Sequence, residues 1–271
     1  MRKTICAILV VAVFSAMVMG CSKTKDEEEY VCVLPNILYD EEGNEITGST
    51  EPVSAEIKDK SYYIQDHQDS KVYFEDDYSI EYTIPEIFVD SDYARECNAE
   101  IYAIAQKDLA EQDGTFSTVW GMEYDSYLNG SILSVVMNHF TDSGNFYYSI
   151  YNVDVVTGEK VSLERLLEAA GMTTDDYTTG LKDAHLEGIR VGWFIPDGKT
   201  IEEYIQETNE KTQQGDFESF IRTQMDNTLS VDNMSKAKAY LGENGKLWLA
   251  NNIYSLGGAD CYERLFEFPT E

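Results

Sequence analysis

Beyond residue 52, apolar and polar residues alternate with a period of two. The pattern predicts short strands over Val53–Ile57, Tyr62–Ile64, Val72–Phe74 and Tyr78–Ile84, the last with Ile80, Tyr82 and Ile84 on one core-facing side. After Asp90-Ser91 the period lengthens, and Tyr93 or Ala94, Cys97, Ile101, Ile104 or Ala105 and Leu109 recur every three to four residues. That spacing predicts an amphipathic helix of about five turns, capped by Asp90 or Ser91 and stopped by Asp113-Gly114. Three strands are expected next, Phe116–Tyr124, Ser131–Phe140 and Asn145–Val156, joined by Asn129-Gly130 and Asp142-Ser143-Gly144. Asn-Gly supplies the positive φ angles of a tight hairpin, so these strands should form an antiparallel meander.

Thr157-Gly158 closes the meander, and Ser162 then caps a short helix that runs through Ala170, with Gly171 past its end. Further helices are expected from Asp175 to about Glu187 and, behind the Thr200…Glu203 capping box, to about Lys211. Another should run from Asp216 to about Asn227 and bury Phe217, Phe220, Ile221 and Met225. The chain closes with strands over Lys238–Leu241, Leu247–Tyr254 and Tyr262–Phe268, the first two linked by Glu243-Asn244-Gly245. Strands, then helices, then strands indicate an α+β class with mainly antiparallel sheets packed by helices. No internal repeat or Ser/Gly-rich linker interrupts residues 53–271.

The first twenty residues follow a different pattern: a basic start at Arg2 and Lys3, an apolar run from Ile5 to Met19, then Val18-Met19-Gly20-Cys21. The run is short against the roughly 20 residues of a spanning helix. This stretch resembles a bacterial lipoprotein signal. The resemblance implies cleavage of residues 1–20, a diacylglycerol thioether on Cys21 and a position at the outer face of the cytoplasmic membrane. Two or three acyl chains, at about 0.8 kcal/mol per buried methylene, hold a protein at the surface without a spanning helix. Residues 21–52 then form the lipidated N-terminus and a solvated acidic tether.

The 271 residues carry 50 acidic and 20 basic side chains, a formal charge of -30, while 43% are hydrophobic and 12% aromatic. Apolar content this high excludes disorder for most of the chain. The acidic excess excludes a nucleic-acid partner, which needs clustered Lys and Arg. Once Cys6 leaves with the signal and Cys21 is lipidated, Cys32, Cys97 and Cys261 remain, without zinc or redox spacing; two could be bridged, or Cys97 could be a buried thiol. His67, His139 and His185 stand far apart, and no metal motif, nucleophile elbow, phosphate loop or dinucleotide fingerprint occurs. No catalytic residue, metal site or cofactor is therefore expected. The acidic stretch Asp40–Glu45 reads as a hairpin or turn before it reads as a calcium loop.

The unit from Asn152 to Leu167, with Thr157-Gly158 and Leu163, Leu166 and Leu167, resembles the strand, turn and Leu-rich helix of the RsiV-type C-terminal domain. Upstream, the strand Tyr78–Phe88, the helix from Asp90 and the hairpin strands are similar to the PdaC/RsiV-like domain that usually precedes it. The resemblance covers Val53 to Phe268 and divides the body into 53–156 and 157–271, one continuous globular unit. It implies an extracytoplasmic module on anchored proteins of Gram-positive bacteria. One member type is an anti-sigma factor whose outer part binds lysozyme; another places the module before a peptidoglycan deacetylase domain. Neither effector part is read in this chain, and no functional residue carries over.

The aromatic run Phe146–Tyr151 offers a candidate binding surface. Its period of two puts Tyr147 and Tyr151 on one face and Phe146, Tyr148 and Ile150 on the other. The expected function is a non-enzymatic, lipid-anchored binding or sensing module. Its acidic body favours a cationic protein, with lysozyme suggested by the family resemblance. The alternative is peptidoglycan or other glycan binding or processing. A concave aromatic cleft with two convergent carboxylates would favour the alternative, and a flat acidic face the cationic protein.

Overall fold

The computed structural model describes residues 38–39, 45–46, 57–75, 78–111, 119–141, 146–212, 217–257 and 261–269. Two compact units divide the chain, residues 1–56 and 57–271. Of the first, β1 (Leu38–Tyr39) and β2 (Glu45–Ile46) pair antiparallel, Leu38 opposite Ile46. These four residues are the described part of the expected tether, 21–52; the rest of it, Cys21 and Cys32 included, and the strand expected over Val53–Ile57 lie outside the described residues, Ile57 excepted.

The second unit is α+β, with antiparallel sheets packed by helices. Where a strand was expected over Tyr62–Ile64, the chain first makes a 3-10 turn, Lys60–Tyr62, because the Asp59 carboxylate accepts from the Ser61 N–H at 3.1 Å. β3 (Ile64–Asp66) follows and pairs with β6 (Pro85–Ile87). Between them run β4 (Lys71–Glu75) and β5 (Tyr78–Tyr82). The expected helix is α1 (Asp92–Glu111), with the Ser91 hydroxyl accepting from the Ala94 N–H at 3.0 Å. β7 (Val119–Asn129), β8 (Ile132–Thr141) and β9 (Phe146–Asp154) form the expected meander. β7 continues past Tyr124 because its pairing with β8 runs on to Asn129, and Gly130 makes the turn at φ +57°.

The sheet order is β4-β5-β7-β8-β9, with β5 and β7 parallel. One face packs under α1, where Ala94, Cys97, Ile101 and Ala105 meet Met122, Leu133, Val135, Met137, Tyr151 and Val153. Tyr82 and Ile84 are buried in the same core as expected. At the end of β9, the Asp154 carboxylate accepts from the Val156 and Thr157 N–H groups, and Gly158 turns at φ +73°. A β-carbon there would lie 2.4 Å from Ser91 Cβ, so this glycine lets the turn press on the N-terminus of α1.

The helices α2 (Leu163–Ala169), α3 (Thr174–Gly192), α4 (Ile201–Thr212), α5 (Phe217–Thr228) and α6 (Val231–Met234) come next. The last sheet is β10 (Lys238–Leu241), β11 (Leu247–Tyr254) and β12 (Cys261–Glu267). The Thr200 and Glu203 capping box opens α4 as expected. On α5, Ile221 is buried, but Phe220 is 42% exposed because it faces away from the sheet that Ile221 meets. Among the described residues, no helix is long and apolar enough to cross a membrane.

α3 is longer than its sequence suggests. Glycines usually weaken a helix, yet Gly180, Ala184, Gly188 and Gly192 fall every four residues along one stripe. A β-carbon on Gly188 would stand 2.8 Å from both Ile253 Cδ1 and Phe266 Cε1, and one on Gly192 2.8 Å from Ile253 Cγ2. Bare backbone is what lets the helix lie close on β11 and β12. His185 is fully buried here; its Nδ1 faces the Leu181 carbonyl at 2.8 Å and its Nε2 the Asn251 amide nitrogen at 2.7 Å. Asn251 also donates to the Asn233 carbonyl at 2.8 Å, which fixes Nε2 as acceptor and the ring as neutral. Burial holds the His185 pKa below its ordinary value, with the Leu181 carbonyl pulling weakly the other way.

Two measurements follow. Gly188→Ala improves helix propensity by about 1 kcal/mol, but overpacking against Ile253 and Phe266 should cost about 1–3 kcal/mol and lower the urea midpoint. For His185, the unfolded chain binds a proton below its ordinary value of 6.5 while the folded chain excludes it. Stability should therefore hold above that pH and fall as the pH drops below it. Urea midpoints at pH 7.5 and 5.5 should show the decline, and His185→Gln should flatten it.

Candidate functional site

Two clefts lined by described residues of the second unit stand out. The wider, about 700 Å³, lies between residues 124–129 of β7 and the 242–244 turn. Its polar groups are largely engaged with one another: Tyr124 donates to Asp66 at 2.7 Å, Lys60 to the Ser126 carbonyl at 2.7 Å, and Asn129 to the Gly242 carbonyl at 3.0 Å. The second, about 450 Å³, lies between α1 and the outer edge of β9. Tyr93, Glu96, Cys97 and Glu100 form its helical wall, residues 148–151 its strand wall, and Lys160 and Lys238 complete the lining. This second cleft holds unengaged groups and is the candidate site.

Its walls follow from the periods of the two elements. On α1, Cys97 points into the core, while Glu96 and Glu100, four residues apart, share the exposed flank beside it. Along β9, odd-numbered peptide groups face β8, as the Val155 N–H to Ser131 carbonyl bond of 2.8 Å fixes. Even-numbered groups face outward along the sheet edge. At Tyr148 the N–H donates to Glu263 Oε2 at 2.6 Å and the carbonyl accepts from Lys238 Nζ at 2.6 Å, while Lys238 and Glu263 pair at 2.7 Å. At the other end the Val161 N–H donates to the Asn152 carbonyl at 3.0 Å, and the Asp154 N–H to the Glu159 carbonyl at 2.9 Å. Between these caps, the Ile150 N–H and C=O meet no partner among the described residues.

The phenols and the thiol of the cleft are hydrogen-bonding groups in their uncharged forms. Burial pushes the Tyr93, Tyr148 and Tyr151 phenols upward, with Cys97 adding to the effect on Tyr93 and Glu100 to that on Tyr151. Burial likewise pushes the Cys97 thiol up, against a hydrogen bond from Tyr93, so it stays protonated and weakly nucleophilic near neutral pH. The Tyr151 hydroxyl is buried in a residue only 5% exposed; it makes no hydrogen bond within 3.5 Å, with Ser149 and Glu100 beside it as weaker polar neighbours. Glu96, Glu100 and Lys160 are exposed and form no ion pair among the described residues.

The two tyrosines singled out in the sequence occupy one face of β9, as the strand period requires, but in different surroundings. Tyr147 is 53% exposed, whereas Tyr151 lies beneath α1, 5% exposed, and only borders the cleft. Tyr148, from the opposite face, lines the cleft with it. His67 makes a polar turn, its Nδ1 accepting from the Asp69 N–H at 3.1 Å. His139 on β8 is buried and ties to Asp108 of α1 at 3.1 Å. Cys97 and Cys261 are both thiols. Among the described residues no group of three or more His, Cys, Asp or Glu could hold a metal ion. Sequence reasoning missed Glu96, Glu100, Lys160 and Lys238. One signal was present: two carboxylates at an i, i+4 spacing repel, so their placement beside the core stripe of α1 does nothing for helix stability.

No protein-family model matches the chain, and no curated protein matches it.

Chemically, the cleft offers one peptide donor and acceptor, protonated phenols, two carboxylates on one wall and a lysine. This is equipment for holding a polar, charged ligand in place. Because its hydroxyl makes no hydrogen bond, Tyr151→Phe should leave thermal stability unchanged or raise it by up to about 1 kcal/mol, measured as the shift in unfolding midpoint.

Proposed function

We propose that this is a lipid-anchored cell-envelope binding module that recognises peptidoglycan at the α1–β9 cleft without catalysing a reaction on it. The observation that carries the reading is a concave cleft lined by Tyr93, Tyr148 and Tyr151, with Glu96 and Glu100 converging from one wall. The anchor is the lipid on Cys21, and the extracytoplasmic setting follows from the lipoprotein signal and the RsiV-type resemblance. Recognition is preferred to hydrolysis because a glycosidase needs its carboxyls on opposite sides of the scissile bond. Here both stand on one helix, a turn apart.

A second reading keeps the cationic protein, with lysozyme as the candidate, on the strength of the -30 charge. Such an encounter is driven by long-range attraction and weakens as salt screens it, with a Debye length of about 8 Å at physiological ionic strength.

Cys21→Ser should shift the protein from the membrane fraction to the soluble fraction. Purified peptidoglycan should sediment the full chain, held in detergent, and Glu96→Gln with Glu100→Gln should abolish sedimentation. Failure of the unaltered chain to sediment would remove the peptidoglycan reading. Calorimetric binding of lysozyme that persists at about 150 mM salt would put the cationic protein in its place.

A further inference from the structure

Resting on the peptidoglycan reading, we infer that the α1–β9 cleft takes the peptide part of that polymer: a short extended peptide with a free amine and a free carboxylate, docked beside Ile150. The backbone supplies the first reason. Ile150 presents one N–H and one C=O in the same outward direction, the pair that a single residue of an extended chain satisfies in a β-ladder. The adjoining outward positions limit the length. The Tyr148 peptide groups are closed by Glu263 and Lys238, and the Asn152 carbonyl by Val161. From Tyr148 to Asn152 the strand rises about 13 Å, room for roughly three residues. A long added strand would collide with both caps.

Charge supplies the second reason. Glu96 and Glu100 line one wall without an ion pair among the described residues, and Lys160 lines the cleft equally unpaired, whereas Lys238 is held by Glu263 at 2.7 Å. A ligand amine meets the two carboxylates and a ligand carboxylate meets Lys160. A neutral sugar would leave all three charges without counterparts. The cleft's volume of about 450 Å³ suits a ligand of this size.

The test is calorimetry on the full chain in detergent, with trialanine, N-acetyl-trialanine amide and chitotriose as probes. Trialanine should bind, and blocking its ends should weaken binding at least about tenfold, the scale of a lost hydrogen bond to a charged group. Glu100→Gln and Lys160→Met should each weaken trialanine several-fold while their thermal unfolding midpoints stay near that of the unaltered chain. Binding of chitotriose with no binding of trialanine would overturn the peptide inference and leave the peptidoglycan reading standing. Equal affinity for trialanine and its blocked form would overturn the charge-pairing argument and with it the inference. If neither probe binds and peptidoglycan fails to sediment the chain, both readings fall together.

Discussion

The outward row of peptide groups along β9 is the constraint on which the rest of this structure turns. An edge strand presents unpaired N–H and C=O groups that must be hydrated, covered or bonded, since burying one without a partner costs about 1–3 kcal/mol. The chain treats successive outward positions differently. At Tyr148 it closes the edge with the Lys238–Glu263 ion pair, and at Asn152 and Asp154 with residues 159–161. At Ile150 the edge stays open to the cleft. The same strand joins the two halves of the unit, with one face buried under α1 and the other turned to the last sheet.

That junction is polar, which sets it apart from the two hydrophobic cores it separates. Ser134 accepts from the Leu241 N–H at 3.2 Å and donates to Asn152 at 2.8 Å, and Asn152 donates to the Ala239 carbonyl at 2.9 Å. Side chains of the five-stranded sheet thus satisfy backbone groups of β10, while Tyr127 stacks on Tyr240 with ring centroids 6.0 Å apart. Hydrogen bonds of this kind are directional where apolar packing is not, so they fix how the two halves meet. The Lys238–Glu263 cap belongs to the same contact, because both residues come from the second sheet. One end of the cleft is therefore closed only when the two halves are joined.

Close approach governs the second half in a related way. The stripe Gly180, Ala184, Gly188 and Gly192 brings α3 near enough to β11 and β12 for the aromatic rings of Phe266 and Phe268 to fill the space side chains would have occupied. Three glycines in one helix sacrifice propensity of about 1 kcal/mol each, and the packing they permit offsets it. Burial of His185 in this layer is tolerated because Leu181 and Asn251 satisfy both ring nitrogens.

Local pattern by itself determined much of this protein. The meander, α1, the Thr200–Glu203 capping box and the three final strands were legible because period, caps and turn residues are neighbours in sequence. The Asn129-Gly130 and Thr157-Gly158 turns were legible for the same reason, each needing a left-handed glycine at one position. Other features required distant partners. The length of α3 was hidden because its glycines read as weak points until Ile253 and Phe266 are set against them. The division between Tyr147 and Tyr151 was hidden because strand period assigns a face but not what covers each end of it. Above all, the open gap at Ile150 was decided by tertiary structure. The groups that close the edge beside it stand 115 and 90 residues away from Tyr148, and no local pattern encodes a pairing over that separation.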